Sequence, residues 1–347
     1  NITNCLKSSF VSTYGPNTEI FENDICKYTG SKYAICTSSG TAALHVSLML
    51  LRIKTNSEVL LPSFNFVASA NAIRYCNLIP HFLDIDEYTM TVDPNYLLEY
   101  LKTHKKVKRF LYNKYTGRKI SALILPHLFG FAADSNKIKA VLKQFNIKLI
   151  EDAAEGLGVH VKTKHIGTVG EFGVLSFNGN KIITTGGGGA ILTQNHKLYL
   201  NAKKLVSLNK KKHTWRYDYN DVGYNYRMPA INASLGISQL KKLNFYIKKK
   251  KENYKKIKKF FDNHKYFRVK EIPKNIKSNF WLINLEIKKK LSVKKLLNEL
   301  NNNGIFARQA WCLLSNLKHF RKYPRTDLKN SKKLFNKIIS IPSSVNI

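Results

Sequence analysis

The sequence predicts an α/β protein: a mixed, mostly parallel seven-stranded sheet in a large domain, followed by a small α+β domain. Three observations predict it. Short apolar or β-branched runs alternate with helical patterns from Tyr33 to Leu192, the signature of β–α–β units. After about Tyr226 a long helical stretch precedes two separate strand patterns. Of 347 residues, 44% are hydrophobic and 23% charged, enough for one large or two medium cores and unlike disordered, collagen-like or coiled-coil chains.

The candidate strands, in order, are Tyr33 to Thr37, Glu58 to Leu61, Ile79 to Leu83, Ser121 to Leu125, Lys148 to Ile150, Gly173 to Ser176 and Ala190 to Thr193. Helical patterns fall between them at Ala42 to Leu51, Ala68 to Tyr75, Asn95 to Leu101 and Ser135 to Phe145. Only a Gly-rich loop separates the last two strands, too short for a crossover helix, so they are predicted to be antiparallel. A helical stretch, Ile231 to Lys259, then leads to strands at Phe280 to Ile287 and Phe306 to Trp311 with a helix at Ser292 to Asn302. The expected division is residues 1–235 and 236–347, with the Lys-rich helix over Ile247 to Lys259 joining the two parts.

Lysine and arginine number 58 against 22 aspartates and glutamates, a formal charge of +36. The excess is mostly lysine in segments also rich in asparagine and isoleucine, a pattern of solvated faces, so no nucleic-acid partner is expected. Five cysteines, an odd number without a CxxC pair, indicate neither a disulfide framework nor a zinc ribbon and fit a reducing cytoplasm. The apolar stretch Ala122 to Ala133 is interrupted by Pro126 and His127, so neither a membrane span nor a signal peptide is expected. HExxH, GxGxxG and P-loop patterns are absent, which removes their usual chemistries. His160 and His165 read as structural, and no metal site is expected.

The chemistry concentrates around Ser176-Phe177-Asn178-Gly179-Asn180-Lys181 and the four glycines Gly186 to Gly189. A lysine beside a strand end and a glycine loop can reach a bulky cofactor such as pyridoxal phosphate, although among so many lysines one alone carries little weight. Asp152 follows the strand Lys148 to Ile150, at the carboxyl end where open α/β sheets bind ligands; it can pair with a pyridinium nitrogen or cap the next helix. Ser38-Ser39-Gly40-Thr41 opens the first β–α turn, where helix amides and hydroxyls make a phosphate cradle or a simple cap. Ser176 can add a hydroxyl to the same phosphate. Phe64 or Phe66, after the strand Glu58 to Leu61, is a stacking candidate or plain core.

Over essentially its whole length the chain resembles the DegT/DnrJ/EryC1/StrS sugar aminotransferases, pyridoxal-phosphate enzymes of fold type I with an aspartate-aminotransferase-like architecture. The resemblance rests on Ser39-Gly40-Thr41-Ala42-Ala43-Leu44, Pro62 to Ala70, His127-Leu128-Phe129-Gly130, Glu151-Asp152-Ala153-Ala154, Ser176 to Gly189 and Gly223 to Pro229. It implies Lys181 as the Schiff-base lysine, Asp152 at the pyridine nitrogen, and Ser39, Gly40, Thr41 and Ser176 around the phosphate. It further implies Phe66 stacked on the ring and Asn225 reaching the cofactor of a partner subunit, so that a homodimer shares its active sites. Glu155 stands where relatives often carry histidine or glutamine near the ring oxygen, and the glycine loop lacks the acidic residue of the Gly-Glu-Gly-Gly form. The Ser176 to Gly189 string and Asn113 to Lys119 most resemble the LegC-like branch, which implies amination at C4 of a nucleotide-linked 4-keto-6-deoxy hexose with L-glutamate as donor and 2-oxoglutarate as co-product. Arg227, Arg308, His127 and Lys210 to Lys212 are candidates for the substrate's anionic groups. The alternatives are a C3-aminotransferase or dehydratase of the same family, or a non-catalytic basic binding protein on this fold.

Overall fold

The strands at the middle of the chain are apolar at nearly every position because both their faces are covered. Glu58–Pro62 and Ile79–Leu83 are buried at all five positions, as parallel strands between two helical layers must be. The computed structural model describes residues 2–211, 213–289 and 291–345. Its main sheet runs in the order Tyr33–Thr37, Gly189–Thr193, Phe172–Ser176, Lys148–Asp152, Lys119–Pro126, Glu58–Pro62, Ile79–Leu83. The last five of these pair in parallel, while Gly189–Thr193 is antiparallel to both its neighbours, as the short glycine loop before it requires.

Two strands that the sequence reading lacks extend this sheet to nine. Lys105–Val107 and Phe110–Tyr112 form a hairpin that pairs with the start of Lys119–Pro126. Lys105 to Val107 is exposed throughout, so no alternation of apolar residues announces it. Helix starts are better marked. Ser39, Asp93, Asp134, Asn195 and Ser292 each accept a backbone N–H from three residues on with their side chains, and Pro94 takes the first helical position behind Asp93. The N-terminal helices Ile2–Lys7 and Asn17–Thr29 were not expected; the second buries Phe21 and Ile25.

Beyond residue 226 three expectations change. The stretch Ile231 to Lys259 is two helices, Ala230–Lys241 and Leu243–Phe261, broken at Lys242; Leu240 and Leu243 stay on the main core while the lysine-rich turns after them lead to a second sheet. That sheet is antiparallel, in the order Phe267–Val269, Ile283–Ile287, Ile338–Ile341, Arg308–Gln309. The strand expected from Phe280 begins only at Ile283, because Phe280 has φ 52° and the backbone turns Trp281 away from the sheet. The strand expected over Phe306 to Trp311 shrinks to two residues for a similar reason, since Trp311 is drawn toward the main sheet. The chain also returns to that sheet: Phe82 donates its N–H to Pro324 and accepts one from Thr326.

Candidate active site

The carboxyl ends of the parallel strands converge on one cavity of about 350 Å³. Five of the strands deliver residues there, all but Ile79–Leu83 among the parallel ones, because the backbone must turn where the ladder stops, leaving side chains and amides free of the sheet. Ser39, Gly40 and Thr41 follow the first strand, Asn65 and Phe66 the strand ending at Pro62, and His127 the strand ending at Pro126. Asp152 ends its strand and Glu155 lies three residues on, while Ser176 ends the strand that leads to Lys181; all of these line the cavity.

Lys181 enters on the turn after Phe172–Ser176, its side chain largely buried at 13% exposure. Its Nζ lies 3.6 Å from Glu155 Oε1 and 4.4 Å from the centre of the Trp281 ring. Trp281 is held in place by its indole N–H, which donates to the Asn180 carbonyl at 2.8 Å. The segment bearing it docks because Gly130, at φ +91°, has no side chain: a Cβ there would stand 2.6 Å from Ser278 Oγ. Asn279 completes the latch by donating to the carbonyls of Glu155 and Leu157.

Asp152 is nearly buried. Its Oδ2 accepts from Ser69 Oγ at 2.6 Å and its Oδ1 from the Ala154 N–H at 3.2 Å, so the carboxylate is fixed in orientation. Burial pushes the Glu155 carboxyl up to about 7, against the opposing pull of the Lys181 charge and the Phe129 N–H. At the other end, the Ser39 side chain caps the helix Gly40–Leu50 by accepting from the Ala42 N–H. The Gly40 and Thr41 amides belong to the first turn and have no intrahelical partner. Gly40 lies against Ser176, where a Cβ would meet the Ser176 Cβ at 3.0 Å. Asn65 Nδ2 is buried in the wall without a hydrogen-bond partner among the described residues.

Lysine amine, fixed carboxylate, helix amides, hydroxyls and an unpartnered amide thus face one volume. That donor set fits a phosphorylated pyridine aldehyde: an amine for the aldehyde carbon, an anion for the ring nitrogen and an amide cradle for the phosphate. An aromatic wall completes it, with Trp281 stacked on Phe129 at 6.3 Å, Phe129 on Trp311 at 4.8 Å, and Phe66 5.9 Å from Trp311. Trp281 and Trp311 were not singled out in the sequence. They come from segments well beyond the last quoted motif, which ends at Pro229, and no local pattern marks their role. Asn65, Ser69 and Phe129 lay within quoted motifs without a role.

Four of the candidate residues sit differently. His127 lines the wall, but its Nδ1 accepts from the Ala133 N–H and its Nε2 meets Glu151 at 3.2 Å, so neither ring nitrogen is left for a substrate. Arg308 is exposed on the second sheet and does not line the cavity. Asn225 and Arg227 line a separate recess with Lys210, Lys211 and Tyr217; Lys212 lies outside the described residues. That recess is close by along the chain, since Thr37 bridges to Arg227 and the Ser38 N–H donates to Tyr226. His165 is buried between the Gly158 N–H and the Ile166 carbonyl, a structural arrangement as its spacing suggested. Among the described residues no group of three or more histidines, cysteines and carboxylates could hold a metal ion, and no helix is long and apolar enough to cross a membrane.

The sequence matches the model of the DegT/DnrJ/EryC1/StrS aminotransferase family over residues 1–347. The chain belongs to this family. It is 33% identical over 313 residues to EpsN of Bacillus subtilis (strain 168), whose name describes a pyridoxal phosphate-dependent aminotransferase, with 89% of this chain and 77% of that protein covered. It is 31% identical over 307 residues to the GDP-perosamine synthase of Escherichia coli O157:H7, covering 88% of this chain and 79% of the relative. Its fold matches Helicobacter pylori PseC, an aminotransferase involved in the biosynthesis of pseudoaminic acid, at a TM-score of 0.89 and 24% identity over 99% of this chain and 90% of that one.

Proposed function

We propose that this family member is a pyridoxal-phosphate-dependent aminotransferase that moves an amino group from L-glutamate to C4 of a UDP- or GDP-linked 4-keto-6-deoxy hexose, in the cytoplasm, for amino-sugar or nonulosonate synthesis. One observation carries this reading: Lys181 Nζ, the fixed Asp152 carboxylate and the Gly40–Thr41 amides face the same cavity. The relatives named above, one of them a GDP-sugar enzyme by name, support the nucleotide-sugar class. The strings Ser176 to Gly189 and Asn113 to Lys119 support the LegC-like branch and with it C4. The division at residues 235 and 236 belongs to the same proposal.

Pyridoxal phosphate, when bound, supplies the electron sink that makes a proton α to nitrogen removable. Lys181 would hold the cofactor's aldehyde carbon and Asp152 its ring nitrogen; Gly40, Thr41, Ser39 and Ser176 would hold the phosphate, with Phe66 and Glu155 beside the ring. With the cofactor bound, the Lys181 amine would be the base for the donor's α-proton and the acid for the sugar carbon. Glu155, titrating near neutrality beside it, tunes how readily that amine carries a proton. Trp281 covers the amine from one side and keeps bulk water off it. Asn225 and Arg227 serve the second site of a homodimer across the interface.

The test is spectroscopic. Purified protein given pyridoxal phosphate is expected to develop the absorption of lysine-bound cofactor near the visible edge, to lose it with L-glutamate and regain it with a 4-keto-6-deoxy sugar nucleotide. Lys181→Ala should abolish the band. If wild-type protein forms no such band, the assignment of Lys181 is wrong.

A further inference from the structure

A second cleft, of about 820 Å³, opens at the opposite end of the main sheet. It lies beside Glu58 and Ile79, which begin their strands, and the turn 113–118 that precedes Lys119–Pro126. The aminotransferase chemistry occupies the carboxyl ends of the same strands. Five residues at about 3.3 Å each put roughly 16 Å of sheet between the two.

The cleft is cationic in an unusual way for this chain. Of 58 lysines and arginines, only ten are arginine by count of the sequence, yet Arg74, Arg118 and Arg325 all line it together with Lys322. Among the described residues none of these four takes part in an ion pair, and Asp327 is the one carboxylate in the lining. Two of the guanidinium groups are aimed by the backbone. Arg74 Nη1 donates to the Leu78 carbonyl at 2.7 Å, and Arg325 Nη1 donates to the Ser315 carbonyl at 3.1 Å. Arg325 Nη2 also donates to the Arg321 carbonyl, so Arg325 has one remaining N–H on each terminal nitrogen, whereas Arg74 keeps its whole Nη2 in the planar fork that matches a phosphate. Between them stands an aromatic face: the Tyr323 ring has Arg74 at 5.5 Å and Lys322 at 5.8 Å from its centre.

The floor is built rather than loose. Glu58 is fully buried and accepts from Asn113 Nδ2 at 2.9 Å and from Thr116 Oγ1, and its Oε2 lies 2.7 Å from His81 Nδ1. His81 Nε2 in turn meets the Tyr100 hydroxyl at 2.6 Å. Burial would raise the Glu58 carboxyl, but His81, Thr116 and Asn113 together hold it below its ordinary range. Its charge is thus spent within the floor, and the turn that carries Arg118 is pinned to the sheet. Nothing in amino transfer uses this network.

We propose that the cleft binds a nucleoside phosphate, its phosphate oxygens held by Arg74, Arg118 and Arg325 and its base laid on the Tyr323 ring, at a site separate from the one that performs amination. Arginine forks supply bidentate anion recognition, and the tyrosine supplies the flat face a base requires.

The test is a calorimetric titration of cofactor-loaded protein with UDP, GDP and ADP, counting equivalents bound per chain, for wild type and for the double variant Arg118→Glu, Lys322→Glu. Both side chains are exposed, and neither belongs to the amination site. Wild type is expected to bind one equivalent more than the variant, or to bind it at least tenfold more tightly, while the thermal midpoint and amination rate are unchanged. Equal stoichiometry and affinity in the two proteins would overturn the proposal. Inorganic pyrophosphate competing as well as the nucleotides would overturn the nucleoside part of it, and Tyr323→Leu binding as wild type does would overturn the role of the ring. Should the double variant fail to fold, Arg118→Ala gives the same comparison. Because the readout is binding, an amination site that proved inactive would leave the result interpretable.

Discussion

Lys181 is one lysine of a very basic chain, and what distinguishes it is its surroundings: a carboxylate at 3.6 Å, an indole face at 4.4 Å and a place over the end of a core strand. Removing the amine in Lys181→Ala is expected to lower amination about a thousandfold or more, the scale of a lost acid–base group. Trp281→Leu removes only the ring, a contact worth about 0.5–2 kcal/mol, so the rate should fall roughly three- to thirtyfold, with Trp281→Phe in between. Steady-state rates on the three variants check this ordering. Glu155 gives a pH signature. Its folded value, about 7, lies above the ordinary 4.5, so between those values the folded state holds a proton the unfolded chain has lost, and stability falls as pH rises through that window. Glu155→Gln should flatten this slope in denaturation midpoints measured from pH 4.5 to 7, and should remove any inflection near pH 7 in the rate profile. A slope unchanged by the substitution would separate Glu155 from both effects.

At the scale of elements, the buried Glu151 carboxylate joins three pieces that the sequence lists far apart. It accepts from Ser135 at the start of a helix and from the amides of Gly167, Val169 and Gly170 in the loop that feeds the next strand, and it meets His127 at the end of another. Burial raises its carboxyl, but the His127, Ser135 and Gly170 donors outweigh this and hold it at about 2. Stability from Glu151 is therefore present above pH 4.5 and lost as pH falls through that window toward 2. Glu151→Ala should cost about 3–5 kcal/mol in chemical denaturation by stranding these donors. The network also explains why His127, a substrate candidate by motif, acts as a strut. Period and caps made most elements legible: Tyr33–Thr37 and Ile79–Leu83 have the bounds read from the sequence, and Ser135–Gln144 differs by one residue. The exposed hairpin at 105–112 and the break at Lys242 were not legible, because neither carries an apolar rhythm of its own and both are set by what they pack against.

At the scale of the molecule, the cavity takes its strand ends from the main sheet and its aromatic wall partly from Trp281 and Trp311, far later in the chain. Asn225 and Arg227 stay outside it, in a recess of their own, and the proposed function has them complete a partner's site. If so, Lys181→Ala and Asn225→Ala proteins are each inactive alone, and mixing them after reversible dissociation restores about one quarter of the sites, since half of random dimers are mixed and each mixed dimer has one intact site. Activity assays of the mixture check this; no recovery would mean that Asn225 acts within its own chain or that no dimer forms. The charge of +36 is largely spread over solvated lysines, and the arginines gathered in the second cleft stand out from it.

By itself the sequence determined the alternation of strands and helices, the antiparallel return at the glycine loop, and the local strings holding Lys181, Asp152 and Gly40–Thr41. These are short-range properties, written by burial period, capping chemistry and the steric needs of a turn within some ten residues. Only the tertiary structure decided that Trp281 would roof Lys181, that His127 would be spent on Glu151, that Arg308 would face solvent, and that three scattered arginines would share one cleft. Those outcomes depend on which distant segments the core draws together, a long-range packing choice that no window of sequence contains.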